Sequence, residues 1–180
     1  FGKKMSTIGA YMTRNITLPM VAVGGGALKL AADFEQSMTK IQTLVGLPAQ
    51  EVENLKSQVL DLAGTTAQAP KELADGLYFL TSAGLDAESA MKALETVSKG
   101  VASGLGSQTD LAKVAAAAQN AYGEDVMSAS DALDVFGSMV RTGMFEASEL
   151  AGVLGQQLGL ASNLGISMEE LGAMISTYTR

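Results

Sequence analysis

The chain has 180 residues, 12 Lys and Arg against 19 Asp and Glu, a net charge of −7 and no histidine or cysteine. A pI near 4.5 argues against nonspecific attraction to nucleic acid, because an acidic surface repels phosphate. Without His or Cys the commonest general base, the soft metal ligands and any disulfide are absent.

The composition is 47% hydrophobic and 17% charged, with a mean hydropathy of +0.21, against roughly 25% charged in an average soluble domain. Its apolar content is mostly Ala, Leu, Val and Met, with no Trp. Such small side chains suit close helix packing or burial within an oligomer. The chain opens on Phe1, and "MEELGAMISTYTR" reaches Arg180 without a stop signal, so an excerpt of a longer protein is expected.

The first stretch to interpret is "NITLPMVAVGGGALKLAADFEQSM", residues 15–38. Its apolar run, 16–28, is about thirteen residues long, short of the roughly twenty that span a bilayer. Pro19 and the glycines weaken a helix there, and Lys29 ends the run. Lys3, Lys4 and Arg14 ahead of an apolar run imitate a signal peptide, but this reading is not adopted. "GGGALK" lacks the strand and the spacing of a phosphate loop. What remains is conformational: Gly24, Gly25 and Gly26 raise backbone freedom and form a flexible joint.

Beyond the joint, apolar residues recur at steps of three and four, the helical period. The stripes are Ala31, Phe34, Met38, Ile41 and Val45; Val52, Leu55, Val59 and Leu62; and Leu73, Leu77 and Leu80. They continue with Met91, Leu94, Val97 and Val101; Leu111, Val114, Ala118 and Tyr122; and Leu133, Phe136 and Val140. Leu150, Leu154 and Leu158, then Met168, Leu171, Ile175 and Tyr178, complete the series. No stretch alternates with period two, so the chain reads as all-α.

Helix starts are legible as well. Pro48 and Pro70 suit the first helical position, where a missing N–H does no harm. Asp86 is an N-cap, and Ser107 with Asp110, Ser128 with Asp131, and Ser167 with Glu170 have the spacing of capping boxes. The Asp boxes are the less secure, because Asp is one methylene shorter than Glu. Ile166 and Leu171 can staple across the last box. Gly84 and Gly165 suit left-handed helix ends. Starts recur about every twenty residues, which hints at stacked helical hairpins, though no shared repeat consensus is present. The alternating charges Glu88, Lys92, Glu95 and Lys99 read as a solvated helix face.

The expected organisation is a multi-helix bundle of short capped helices over residues 47–180. An extended helical arm carrying the glycine joint, residues 1–46, precedes it. Helices this short are marginal alone, so packing within the domain or between copies must hold them.

The order of these segments resembles the core region of phage tail tape measure proteins. An apolar segment containing Leu18 and Pro19 runs into "ADFEQSMTKIQTLVG", matching at Asp33, Phe34, Glu35, Met38, Lys40, Gln42 and Gly46. A helix with Leu55, Gln58, Leu62 and Thr65 or Thr66 follows, then one ending at Ala83 and Gly84. Asp110, Leu111, Ala121, Tyr122 and Gly123 fall into a later family helix, as do Leu164, Gly165, Ser167 and Glu169 or Glu170. The resemblance covers residues 15–180. One departure is Ala69 before Pro70, where the family often places a capping Ser.

The resemblance implies a structural tail component that lies extended in several copies inside the tail tube or tip, sets tail length and leaves before the DNA. It implies partners among copies of the same chain, tail tube, tip or baseplate proteins and assembly chaperones, with host membrane contact after release. An extended helix rising 1.5 Å per residue is a natural ruler. No catalytic, cofactor-binding or metal residues are expected, and no specific nucleic-acid binding. Asp33 and Glu35 flank Phe34 but do not face each other across a substrate as a glycosidase pair must. The alternative reading is a membrane-active helical protein forming a channel for DNA delivery. A generic helical adaptor with methionine-bearing grooves is a third, weakened because methionine commonly serves as flexible core filler.

Overall fold

The computed structural model describes residues 26–143 and 146–178. Among these the chain is all-α, as expected, with no strand. Helix α1 (Gly26–Lys40) continues into a π-helical turn (Ile41–Val45) that ends at left-handed Gly46. Then come α2 (Ala49–Thr66), α3 (Pro70–Ser82), α4 (Ala87–Ala102), α5 (Gln108–Tyr122), α6 (Ala129–Thr142), α7 (Ala147–Asn163) and α8 (Met168–Tyr178). Of the glycine joint, Gly26 opens α1, while Gly24 and Gly25 lie outside the described residues.

The local signals act largely as read. Asp86 accepts from the backbone N–H groups of Glu88 and Ser89, both at 3.0 Å. Ser167 and Glu170 form the reciprocal box: Glu170 N donates to Ser167 Oγ at 3.2 Å and Ser167 N donates to Glu170 Oε2 at 3.0 Å. The aspartate versions close only half of it. Ser107 Oγ and Ser128 Oγ accept from the N–H of Asp110 and Asp131, each at 3.2 Å. There the carboxylate accepts a hydrogen bond from the serine hydroxyl instead, at 2.7 and 2.6 Å, because the shorter side chain does not return to the N-cap amide. Pro70 occupies the first turn of α3 as expected. Pro48 does not: it is the N-cap of α2, with ψ 142, since an extended residue is needed to turn the chain out of the π-helical segment.

Three helix ends share one device. Gly84 N donates to Thr81 O at 3.0 Å while Leu85 N reaches back to Leu80 O at 3.3 Å, the paired bonds of a Schellman motif. The same pairs recur from Gly104 and Leu105, and from Gly165 and Ile166. The three glycines have φ of 98, 79 and 72 degrees, a region in which a side chain is strained. An apolar residue follows each glycine, and the next helix starts within a few residues, so successive helices fold back sharply.

That reversal produces two layers. Helices α1, α3, α5 and α7 pack side by side in one layer, and α2, α4, α6 and α8 in the other. Each helix therefore touches chiefly its sequence neighbours and the helices two positions away. This is the arrangement of stacked hairpins, built here without a repeated sequence. Helix α5 is the most enclosed, packed by α3, α4, α6 and α7. Its run of Ala112, Ala115, Ala116 and Ala118, all buried, lets four neighbours approach it closely.

The core between the layers takes nearly every predicted stripe. Phe34, Met38, Leu73, Leu94, Leu111, Phe136, Leu154 and Met168 are completely buried. Tyr178 is the exception, 92% exposed at the end of α8, although Ser176 in the same turn is buried and meets Thr142 of α6. Residues 26–46, assigned from sequence to an arm, contribute Phe34, Met38 and Ile41 to this same core. Helix α1 is further fastened by Lys56 Nζ to Glu35 Oε2 at 2.8 Å and by Ser37 Oγ donating to Asp75 Oδ1 at 2.7 Å. Residues 1–25 of that arm lie outside the described residues.

Candidate interaction surface

Several ionisable groups of the described residues are engaged in local structure. Asp86 caps α4, and its carboxyl is held below the usual carboxylate range by the Ser89 N–H and hydroxyl and the Glu88 N–H. Burial lowers the basicity of Lys56, but hydrogen bonds and charge from Glu35 and Glu53 outweigh it and hold its ammonium above the ordinary lysine value. Lys71 is likewise raised, by its ion pair with Asp75 in the same helix. Lys92 pairs with Glu88 at 2.9 Å on the solvated face of α4. Glu35, one of the two carboxylates flanking Phe34, is thus an ion-pair partner of α2. Among the described residues no group of acidic side chains has the spacing of a metal site, and no helix is long and apolar enough to cross a membrane.

The prominent open concavity lies on the outer face of the first layer, a trough of about 490 Å³. Its walls come from Phe79 and Ala83 of α3, from Ala116, Ala117 and Ala121 of α5, and from Gly152, Gly155 and Gly159 of α7. Two of its polar groups are already tied down. Asn120 Nδ2 donates to Ala83 O at 2.7 Å, covering a carbonyl at the end of α3. Lys113 Nζ lies 5.1 Å from the centre of the Phe79 ring, a cation–π distance, and 3.8 Å from Asp110 Oδ1.

Helix α7 is unusual on this face. From Leu150 to Met168 there is no charged residue. At about 100° per residue, Gly152, Gly155 and Gly159 share one sector, and the exposed Val153 and Leu160 share another, roughly 120° round the helix, with Gln156 and Asn163 between. A methyl group at any of the three glycines would meet nothing within 4 Å. Each glycine nevertheless costs a helix about 0.8–1 kcal/mol relative to alanine. The packing of this fold therefore supplies no reason for them. By contrast, Gly172 of α8 is needed where it stands, since a methyl there would press on Met139 of α6.

No site residues follow from the sequence reading, which treated α7 only as a leucine stripe. The signal was nevertheless present: three glycines spaced three and four apart in an uncharged helix. The trough itself was not legible, because its other two walls come from α3 and α5.

A two-layered helical stack, with several of its charges engaged in caps and pairs and an open trough walled largely by alanine and glycine, defines a helical packing protein. Residues 56–180 match the family described as phage-related minor tail protein, and the chain belongs to that family. It is similar to the "Tape measure protein" of Pneumococcus phage Dp-1, 28% identical over 174 residues, covering 97% of this chain and 15% of the relative. It is also similar to the "Probable tape measure protein" of Clostridium phage phiCD119, 29% identical over 161 residues, covering 86% of this chain and 17% of the relative. The chain thus spans about a sixth of the length of these relatives. No solved structure matches it.

Proposed function

We propose that this chain is a folded module of a tail tape measure protein, a structural component that occupies the tail tube or tip, takes part in setting tail length and is released on DNA ejection. The observation that carries this reading is the match to two tape measure relatives over most of the chain. The fold refines how the module acts. Helices of 11 to 18 residues folded into two layers are far shorter than the same residues in one helix rising 1.5 Å each. This module is therefore a packed body, and length is measured by extended parts of such a protein. Its partners are copies of itself and proteins of the tail tube, tip or baseplate, with assembly chaperones engaged beforehand. A net charge of −7 repels the DNA that follows.

Protease protection tests this reading. Peptides of the chain should be present in purified tails, resist added protease, and appear in the supernatant once ejection is triggered. Tails that lack these peptides, or that lose them to protease before ejection, refute it. No observation favours the membrane-channel alternative.

A further inference from the structure

We infer that the edge of the stack formed by α7 and α8 is an internal face, covered by the helical hairpin that follows residue 180 in the longer polypeptide. The inference rests on the architecture and on the length of the relatives, and it goes beyond the tail reading above.

The geometry fixes which way this edge looks. In the first layer α7 meets α5 through Ser162, whose Oγ donates to Ala121 O. At about 100° per residue, Val153 and Leu160 lie roughly 160–180° round α7 from Ser162, on the side turned away from α5. In the second layer α8 meets α6 through Gly172, set against Met139, and through Ser176, bonded to Thr142. Met174 and Tyr178 lie roughly 160° round α8 from Ser176, turned away from α6. Leu164 stands in the turn that joins the two helices. These five side chains are between 47% and 92% exposed. In the rest of the first layer that flank seats the next helix, as α3 seats α5 and α5 seats α7.

The two ends of the stack differ in chemistry. At the far end α2 turns Glu51, Glu53, Asn54, Gln58 and Asp61 to solvent and exposes no large apolar side chain. That is the polar outer face with which a stack of helical units closes. Residues 150–179 contain only two charged residues, Glu169 and Glu170. Glu170 completes the capping box of α8 and Glu169 lines the hollow beside α6, so the outward edge carries no charge. Of the eight large apolar side chains exposed among the described residues, five stand here. This end therefore has the composition of an interior helix pair.

Continuity selects the occupant. A hairpin that adds one helix to each layer repeats the contacts already made by α5 with α7 and by α6 with α8. This chain covers 15% and 17% of the two tape measure relatives, so proteins of this family hold ample further sequence. A hairpin tethered by a short turn, like those after Gly84, Gly104 and Gly165, meets the edge at a far higher effective concentration than a separate molecule does.

Site-specific photo-crosslinking in the full-length protein tests this. A benzophenone amino acid replacing Leu160, and in a second variant Tyr178, should on irradiation join a peptide within two helix lengths after residue 180 of the same chain. No gain in mass should appear on a denaturing gel. The same group at Glu88, on the solvated face of α4, should not reach that peptide. Crosslinks to a second copy, to residues 1–25 or to another tail protein, or no crosslink at all, overturn the proposal. Stability gives an independent reading. In the 180-residue chain Leu160→Ser alters an exposed side chain and should change the unfolding equilibrium constant less than about threefold. In a chain extended through the next hairpin the same change empties a buried position and should raise that constant about tenfold or more. Equal effects in the two chains also overturn the proposal. Absence of the chain from purified tails, the result that defeats the tail reading, leaves both measurements intact.

Discussion

Replacing Gly152, Gly155 and Gly159 by alanine is expected to stabilise the folded chain. Each position lies inside α7 and offers a new methyl only open space. The gain is therefore the backbone entropy removed from the unfolded state, about 0.8–1 kcal/mol per site and about 2.5 kcal/mol for the triple variant. For a domain of this size each kcal/mol moves the melting temperature by about 2–4 °C, so the triple variant should melt roughly 5–10 °C higher. Urea unfolding followed by circular dichroism, at a dilution where the chain is monomeric, should shift its midpoint with an unchanged slope. Gly172→Ala is the internal control. There the methyl would collide with the Met139 tip and lie 3.1 Å from its Cγ, so overpacking of about 1–3 kcal/mol outweighs the helix gain. Loss of stability at any of the three α7 positions, or a gain at Gly172 as large as theirs, would refute the claim that α7 presents an unfilled face.

The other predictions concern the joints of the stack. Tyr122→Phe removes the bond from Tyr122 Oη to Ile166 O at 2.9 Å, which ties the end of α5 to the α7–α8 turn, and should cost about 1 kcal/mol; an unchanged denaturation midpoint would contradict it. Ser167→Ala opens the one reciprocal capping box and should cost about 1 kcal/mol, with faster amide exchange confined to the first turn of α8. The depressed Asp86 carboxyl makes its contribution pH-dependent. A group whose folded pKa lies below its unfolded value stabilises above the unfolded pKa and loses that effect as pH falls through the folded pKa. The stability difference between wild type and Asp86→Asn should accordingly be constant at neutral pH and shrink below about pH 4; a gap that widens on acidification would reverse the sign. Lys56→Gln separates Glu35 of α1 from its cation and should cost about 1 kcal/mol, with raised amide exchange in α1 rather than in α5. Exchange that rises uniformly would show that α1 is not held by this pair.

Much of the fold was legible because its causes are local. The step of three or four between apolar residues dictates helix, and every stripe turns inward, with Tyr178 exposed at the end of the last. Serine or aspartate at an N-cap and glycine one residue past a helix end act over four or five residues, so Asp86, Ser167, Gly84 and Gly165 could be placed by inspection. Pro48 was misplaced by one position because the π-helical turn before it, which sets the chain direction, leaves no mark in the sequence. Tyr178 continued its stripe in sequence but had no neighbouring helix to cover it.

What the sequence determined by itself was the helical class, the helix ends and, through the order of its segments, the family. Only the tertiary structure decided that α1 belongs to the core, that alternate helices form two layers, and that α7 leaves an uncovered apolar face. These depend on contacts between residues twenty to forty positions apart, such as Glu35 with Lys56 and Asn120 with Ala83. No periodicity encodes which helix meets which. That choice follows from how side-chain volumes fit once the turns have brought the helices together.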